Sequence, residues 1–224
     1  MPSHALFGRS VSRLLRSLLA VLSLGAAGCL AEPEPEPPPD YARLEADWRG
    51  LVAARDSFFR SPASPLLPTD RDAFDGLAYF PYDTAFVYRA QVRPELARDT
   101  FGMVTSTGEV RPFIRYGLFR LEAGGQARTL VVFQSVGEGS DGRLFLPFQD
   151  GTSGRSTYGG GRYLDLPESP DGRYVLDFNQ AYHPYCVYNP LYSCPLPPRE
   201  NRLGLAVAAG ERLPEGYDPW AGVP

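Results

Sequence analysis

The hydrophobic pattern of this chain changes period once, and that change limits its fold more than any other feature. Tyr41, Leu44, Trp48, Leu51, Val52 and Phe59 recur three and four positions apart, as one apolar helix face requires, and Asp40 can cap the first turn. Pro62, Pro65 and Pro68 end that pattern, and an irregular stretch leads on to Tyr82. From Phe86 the spacing becomes two: Phe86, Tyr88, Ala90 and Val92 alternate with mostly polar neighbours, as on a strand with one buried face. Further strands are expected at 101–106, 110–122, 128–136, 143–148, 161–166, 173–179 and 203–209. Thr107-Gly108, Gly124-Gly125 and Asp171-Gly172 supply turn signals between several of them. No segment in this region reads as a crossover helix. The expected fold is therefore mainly β, an antiparallel barrel or sandwich of about eight strands with one N-terminal packing helix.

The start of the chain reads as an export signal. Arg9, Arg13 and Arg16 precede a short run rich in Leu, Ala and Ser that closes on Ala26-Ala27-Gly28-Cys29. The run is short for a bilayer, which needs about 20 apolar residues. Small residues directly before a Cys resemble the bacterial lipobox, which implies that Cys29 becomes the acylated (palmitate-bearing) first residue of the mature chain. Glu32 to Pro39 alternates acid and proline before three prolines in a row, the composition of an extended tether. Leu30 occupies the position where an Asp often retains such proteins at the inner membrane, so the sorting rule implies the outer membrane. The expected division is a signal peptide at 1–28, a lipidated Cys and tether at 29–39, a helix at 40–60, an irregular lead-in at 61–85, a β domain at 86–212 and a tail at 213–224.

Charge and composition exclude several chemistries. Removing three signal-peptide Arg leaves 19 basic against 26 acidic residues, a mature charge of −7, which disfavours nucleic acid and anionic lipid headgroups. All 22 basic residues are Arg. Without Lys, Schiff-base catalysis, pyridoxal-phosphate attachment and a P-loop are ruled out. The mature chain holds one histidine, His183, so a multi-His zinc site cannot form within it, and any Ser-His or Cys-His nucleophile would have to use that residue. No metal and no cofactor are expected. Membrane contact should run through the lipid anchor alone. Gly137 to Gly142 matches the spaced glycines of a dinucleotide loop, but an apolar run ending near Pro147 follows instead of a helix, so a hairpin turn is the better reading.

Two irregular stretches could carry chemistry. Phe148–Leu166 is rich in glycine and sets Asp150, Thr152, Tyr158 and Arg162 around it. It reads either as a binding loop or as a long connection in which Asp and Arg satisfy each other. Asp177–Leu203 holds Asp177, Asn179, Glu200, several tyrosines and prolines, and the pair Cys186 and Cys194. In an oxidising envelope that pair reads as a disulfide, and closing its loop would contribute about 2.6 kcal/mol in the chain-entropy model. A metal or redox site is the alternative. Polar groups in irregular backbone must find partners when buried, so the two stretches are expected to meet, with Arg162 near Asp177.

Three motifs resemble a widespread prokaryotic family known as domain of unknown function 1684. They are Thr157–Leu166 (TYGGGRYLDL), Asp177–Cys186 (DFN, then Ala-Tyr, then Pro-Tyr-Cys) and Cys194–Leu203 (CPLPP, then Glu-Asn-Arg-Leu). Weaker similarity reaches back through Phe74–Leu77 to Trp48-Arg49, covering most of 41–212. His183 stands where the family is expected to carry Asn, which argues against a shared catalytic histidine. The resemblance implies kinship without an activity. Two functional classes follow. One is a non-catalytic envelope module, binding or structural, whose aromatic, arginine-rich face would take a small molecule, glycan or protein. The other is a hydrolase-like enzyme with Asp177 or Asp150 as acid or base and Arg162 steadying an anion.

Overall fold

The structure is a computed structural model that describes residues 36–93, 98–136, 143–167, 169–218 and 220. The expected signal peptide, the acylated Cys29, much of the tether, the Gly137–Gly142 turn and the end of the tail lie outside the described residues. Among the described residues no helix is long and apolar enough to cross a membrane.

Helix α1 spans Tyr41–Arg60, and Asp40 caps it by accepting from the Arg43 backbone N–H at 3.1 Å. Its apolar face is only part of its attachment. Phe59 is buried, stacked on Phe74 and edge-on to Tyr188, and Trp48 meets the rings of Tyr79 and Tyr82. Two charged residues complete the docking. Asp56 accepts from the Leu77 backbone N–H at 2.9 Å, and Arg55 reaches the buried Glu211 at 3.1 Å. Tyr41, expected on the packed face, is exposed. A short α2 (Pro68–Arg71) lies within the lead-in.

Among the described residues seven antiparallel strands form one sheet curled into a half-barrel. They are β1 (Val87–Arg93), β2 (Thr100–Val104), β3 (Val110–Ala123), β4 (Gln126–Ser135), β5 (Leu144–Phe148), β6 (Arg162–Leu166) and β7 (Arg173–Asp177). The order is β6-β5-β4-β3-β1-β7, with β2 also paired to β3. β3 and β4 pair from Ala123↔Gln126 outward, leaving Gly124 and Gly125 as the whole turn. Both have positive φ, 60° and 69°, the conformation a two-residue hairpin needs to match strand twist.

Residues 130–133 of β4 are buried on both faces. One face joins Phe119, Leu121, Leu146, Phe148, Leu164, Leu176 and Phe178 in the main core. The other packs Val131 and Phe133 against Met103 and Phe113. Strand β7 ends earlier than its apolar alternation suggests, because Asp177 caps a 3-10 turn over Phe178–Gln180 by accepting from the Asn179 N–H. Segment 203–209 keeps its expected alternation, with Leu203, Val207 and Ala209 buried, but it forms no ladder strand. The Leu203 N–H and the Leu205 carbonyl bond to the backbone of Gln149 and Gly151, while the Val207 N–H and the Val207 and Ala209 carbonyls bond to the side chains of Asp150 and Arg162.

Candidate functional site

Arg162 is the bulkiest fully buried side chain described in the protein. It points inward from β6 and binds the extended segment that would otherwise need a neighbouring strand. Nη1 donates to the carbonyls of Ala209 and Glu211, the latter at 3.1 Å, and Nη2 donates to the Val207 carbonyl at 2.8 Å. Nη2 also donates to Asp150 Oδ2 at 2.9 Å. The other oxygen of Asp150 accepts from the Thr152 N–H (2.7 Å), the Thr152 hydroxyl (2.6 Å) and the Val207 N–H (3.2 Å). Both charged side chains are shielded completely. A guanidinium presents five donors in a fixed fork, which suits it to gathering several carbonyls at once.

Asp177 and Asn179 form a second closed unit. Asp177 Oδ1 accepts from the Asn179 N–H and side-chain amide, while Oδ2 receives Gln180 at 3.3 Å and the Tyr82 hydroxyl at 3.4 Å. Asn179 in turn clasps Asp83, accepting from its N–H and donating to its carbonyl, both at 2.9 Å. Burial, and then the Asp177 charge, push the Tyr82 phenol up to about 12. The two stretches do meet, since the Tyr163 and Tyr182 backbones form a bridge and Phe148 packs edge-on to Phe178. The expected Arg162–Asp177 contact is replaced: Arg162 takes Asp150 as its carboxylate, because β5 and β6 are paired and carry Asp150 past the inward face of Arg162.

His183 belongs to a third buried set. Its Nε2 accepts from the Tyr158 N–H at 3.2 Å, and its Nδ1 lies 3.1 Å from Glu211 Oε1, which also accepts from the Tyr188 hydroxyl. Those roles make it the Nδ1–H tautomer, with no lone pair left for a nucleophile. Burial lowers its pKa, against the opposing pull of Glu211. Arg55 Nη2 lies 3.1 Å from Glu211 Oε2, within ion-pair range but off the hydrogen-bond line. Glu211 and Arg55 carry this set, and sequence reasoning passed over both. The available signal was parity: Glu211 continues the inward series 203, 207, 209, and an inward acid demands a partner. Asn201 is another such residue, its side chain joining the Val131 N–H, the Val131 carbonyl and the Pro147 carbonyl at 2.7 Å each. Glu200 beside it is exposed and lies 3.5 Å from Arg115.

Tyr158 is buried, with its hydroxyl 3.8 Å from Cys186 Sγ. Cys186 and Cys194 are adjacent buried free thiols here, where a disulfide was expected; the Cys186 N–H donates to Cys194 Sγ at 3.3 Å. Hydrogen bonding from the Cys194 thiol holds Cys186 down at about 7, and the same contact pushes Cys194 up. Among the described residues no three His, Cys, Asp or Glu side chains gather as a metal site would require.

An open concavity lies elsewhere. A cleft of about 480 Å³ is lined by Phe113, Phe145, Tyr163, Tyr182, Tyr185 and Tyr192, with Arg111, Ser193 and Cys194 among its polar borders. Tyr163 is fixed by its hydroxyl to the Pro195 carbonyl, and Tyr182 by its hydroxyl to Asp165 at 2.6 Å. Arg55 lies 4.5 Å over the Tyr182 ring. Tyr185 and Tyr192 differ from these: they are 36% and 38% exposed, with ring centres 5.4 Å apart. Arg111 pairs with Glu109 at 3.0 Å.

Fold and interior together define a curled antiparallel half-barrel closed along one side by a segment held through side chains. The family model described as "Protein of unknown function (DUF1684)" matches residues 72–212, and the chain belongs to that family. It is similar to an uncharacterised protein of Haloarcula marismortui solved by solution NMR, at 35% identity over 79% of this chain and 98% of the other, with a TM-score of 0.63. No curated protein matches.

Proposed function

We propose that this chain is a lipid-anchored envelope protein that binds a small ligand in the Phe113–Tyr192 cleft and does no covalent chemistry on it. One observation carries the reading. Asp150, Arg162, Asp177, Asn179 and His183 are engaged in internal bonds, while an aromatic cleft of ordinary ligand size stands open with two half-exposed tyrosines. Both oxygens of Asp150 and of Asp177 accept internal donors, and the Arg162 guanidinium faces carbonyls, which removes the support for the hydrolytic alternative. Tyrosine presents a broad ring face and one hydroxyl with few rotatable bonds, so such a cleft suits a ligand with an apolar face and a polar edge, such as a saccharide.

The anchoring part of this proposal rests on the lipobox-like Ala26–Cys29 and the Glu/Pro run after it. It places the domain on the far side of the membrane, at the outer membrane where one exists, and lets the Cys186–Cys194 pair close there as a disulfide. Cells fed a labelled fatty acid should mark the wild type and not Cys29→Ser, whose domain should leave the membrane fraction; label retained by the variant overturns the anchor. For the cleft, a thermal-shift screen of saccharides and small aromatics on the wild type and Tyr185→Ala is decisive. A compound that raises the melting temperature of the wild type alone supports the site, and equal shifts in both proteins reject it.

A further inference from the structure

A second concavity, away from the tyrosines, has an unusual floor. Gly159 has none of the positive φ that explains most of the turn glycines, so its backbone does not require glycine. What requires it is a ring. A Cβ on Gly159 would stand 2.6 Å from Cζ3 of Trp220, and the three atoms nearest that position all belong to the same indole. A Cβ on Gly154 would stand 2.6 Å from Cε2, across the ring. The indole therefore lies on two bare glycines, yet it remains 54% exposed, so it is a cover and not a core residue. Its backbone N–H donates to Asp218 at 2.9 Å, which sets the chain's approach. The floor lies inside the stretch the family model describes, and the ring comes from outside it.

Beside the indole is a cavity of about 640 Å³, bordered by Gln149, Ser153, Pro197 and Arg202. Gln149 braces the floor by donating to the Gly159 carbonyl at 2.8 Å. Asp150 also borders it, but its charge is matched by Arg162. Arg202 is exposed, and its guanidinium has no hydrogen-bond or ion-pair partner among the described residues. A flat floor shaped for a ring, with a free cation beside it, selects a particular ligand.

We propose that this cavity binds a carboxylate carried by a planar aromatic ring system, whose ring takes the place of the Trp220 indole on Gly154 and Gly159 and whose carboxylate pairs with Arg202. Trp220 is then an occupant supplied by the chain itself, and a ligand competes with it. The test is a calorimetric titration of the full chain in detergent with indole-3-acetate, and with indole as the uncharged control. Trp220→Ala should bind indole-3-acetate about tenfold or more tighter than the wild type, because a competing ring is gone. Adding Arg202→Ala should weaken indole-3-acetate about tenfold and leave indole unchanged, as loss of one charge-assisted contact predicts. Adding Gly159→Ala should abolish binding of both. Equal affinity of the wild type and Trp220→Ala, or no binding to Trp220→Ala at millimolar ligand, overturns the proposal. So does an Arg202→Ala variant that keeps its affinity, and because Arg202 is exposed that result stands even if Gly159→Ala misfolds.

Discussion

The Arg162 interior and the tyrosine cleft are built from the same two irregular stretches, and they use polar groups in opposite ways. Around Arg162, Asp150, Asp177 and Asn179 the hydrogen-bonding groups described turn inward and hold backbone that has no ladder partner. In the cleft, Tyr163 and Tyr182 are pinned, but Tyr185 and Tyr192 leave ring surface uncovered. Charged residues buried in irregular backbone thus mark a demand for internal partners. In the cleft, the surface with something left to offer is aromatic.

The sharpest way to break this contrast is Arg162→Ala. Removing one partner of a buried pair typically costs about 3–5 kcal/mol, and three carbonyls lose their donor as well. At about 2–4 °C per kcal/mol for a domain of this size, the melting temperature should fall by about 10 °C or more, or the chain should fail to fold. Asp150→Asn should fall less, since its amide oxygen can still accept from Thr152. An Arg162→Ala protein with unchanged stability and lost ligand binding would reverse the roles given to the two regions.

Next in size is the state of the thiols beneath the cleft. Closing Cys186 to Cys194 should raise stability by about 2.6 kcal/mol in the chain-entropy model. Protein recovered from the envelope should show the bond in unreduced peptides by mass spectrometry and should lose stability on reduction. Two free thiols in that material would mean that the reduced pair seen here is the working state.

How far the sequence revealed these regions differs in the same way. Strand positions were legible because alternation and turn glycines are local: Gly124-Gly125 fixes the β3–β4 hairpin without reference to anything distant. Segment 203–209 was legible in which residues face inward and illegible in its pairing, because the Val207 and Ala209 carbonyls bond to a side chain 45 or more positions earlier. The partner of Arg162 could not be read either. Asp150 and Asp177 are both acids near it in composition, and only the β5–β6 register chooses between them. The helix face was read from its apolar residues, yet Arg55 and Asp56 do part of the docking, through Glu211 and Leu77. The cleft was visible as a concentration of tyrosines, but which remain uncovered depends on where Pro195 and Asp165 fall.

A smaller effect tests the neutral state of His183. Its pKa in the folded protein is depressed by burial. Below the ordinary histidine value of about 6.5 the unfolded chain takes a proton that the folded chain resists. Stability from this group is therefore complete above that value and declines as pH falls toward the folded pKa. His183→Asn removes the titrating ring and keeps, at the position of Nδ1, an amide that can donate to Glu211. Denaturation curves between pH 7 and pH 5 should then decline less steeply for the variant than for the wild type. Parallel curves would show that His183 is not the titrating group.

The smallest stability effect belongs to Tyr185→Ala, and it bears most directly on the cleft. Tyr185 meets Phe58, Phe59 and Tyr192 at ring-centre distances of 5.4 to 6.4 Å, but over a third of it faces solvent. Its backbone carbonyl, which accepts from Tyr188 and Asn189, survives the substitution. Loss of partly exposed packing should cost about 1 kcal/mol, a shift of a few degrees at most. A wall tyrosine whose removal changes little in the fold has its surface available for something else. If it contacts ligand, truncation should weaken binding by about tenfold or more, the scale of an aromatic contact residue. Tyr182→Phe is the matched control. It keeps the ring and loses the bond to Asp165, so it should cost stability through the loosened wall while leaving the ring face that a ligand meets. Measuring melting temperature and affinity on the same two variants separates wall from floor. If Tyr185→Ala instead lowers stability as much as Arg162→Ala, the cleft is as much a part of the packed interior as the arginine, and the contrast between the two regions fails.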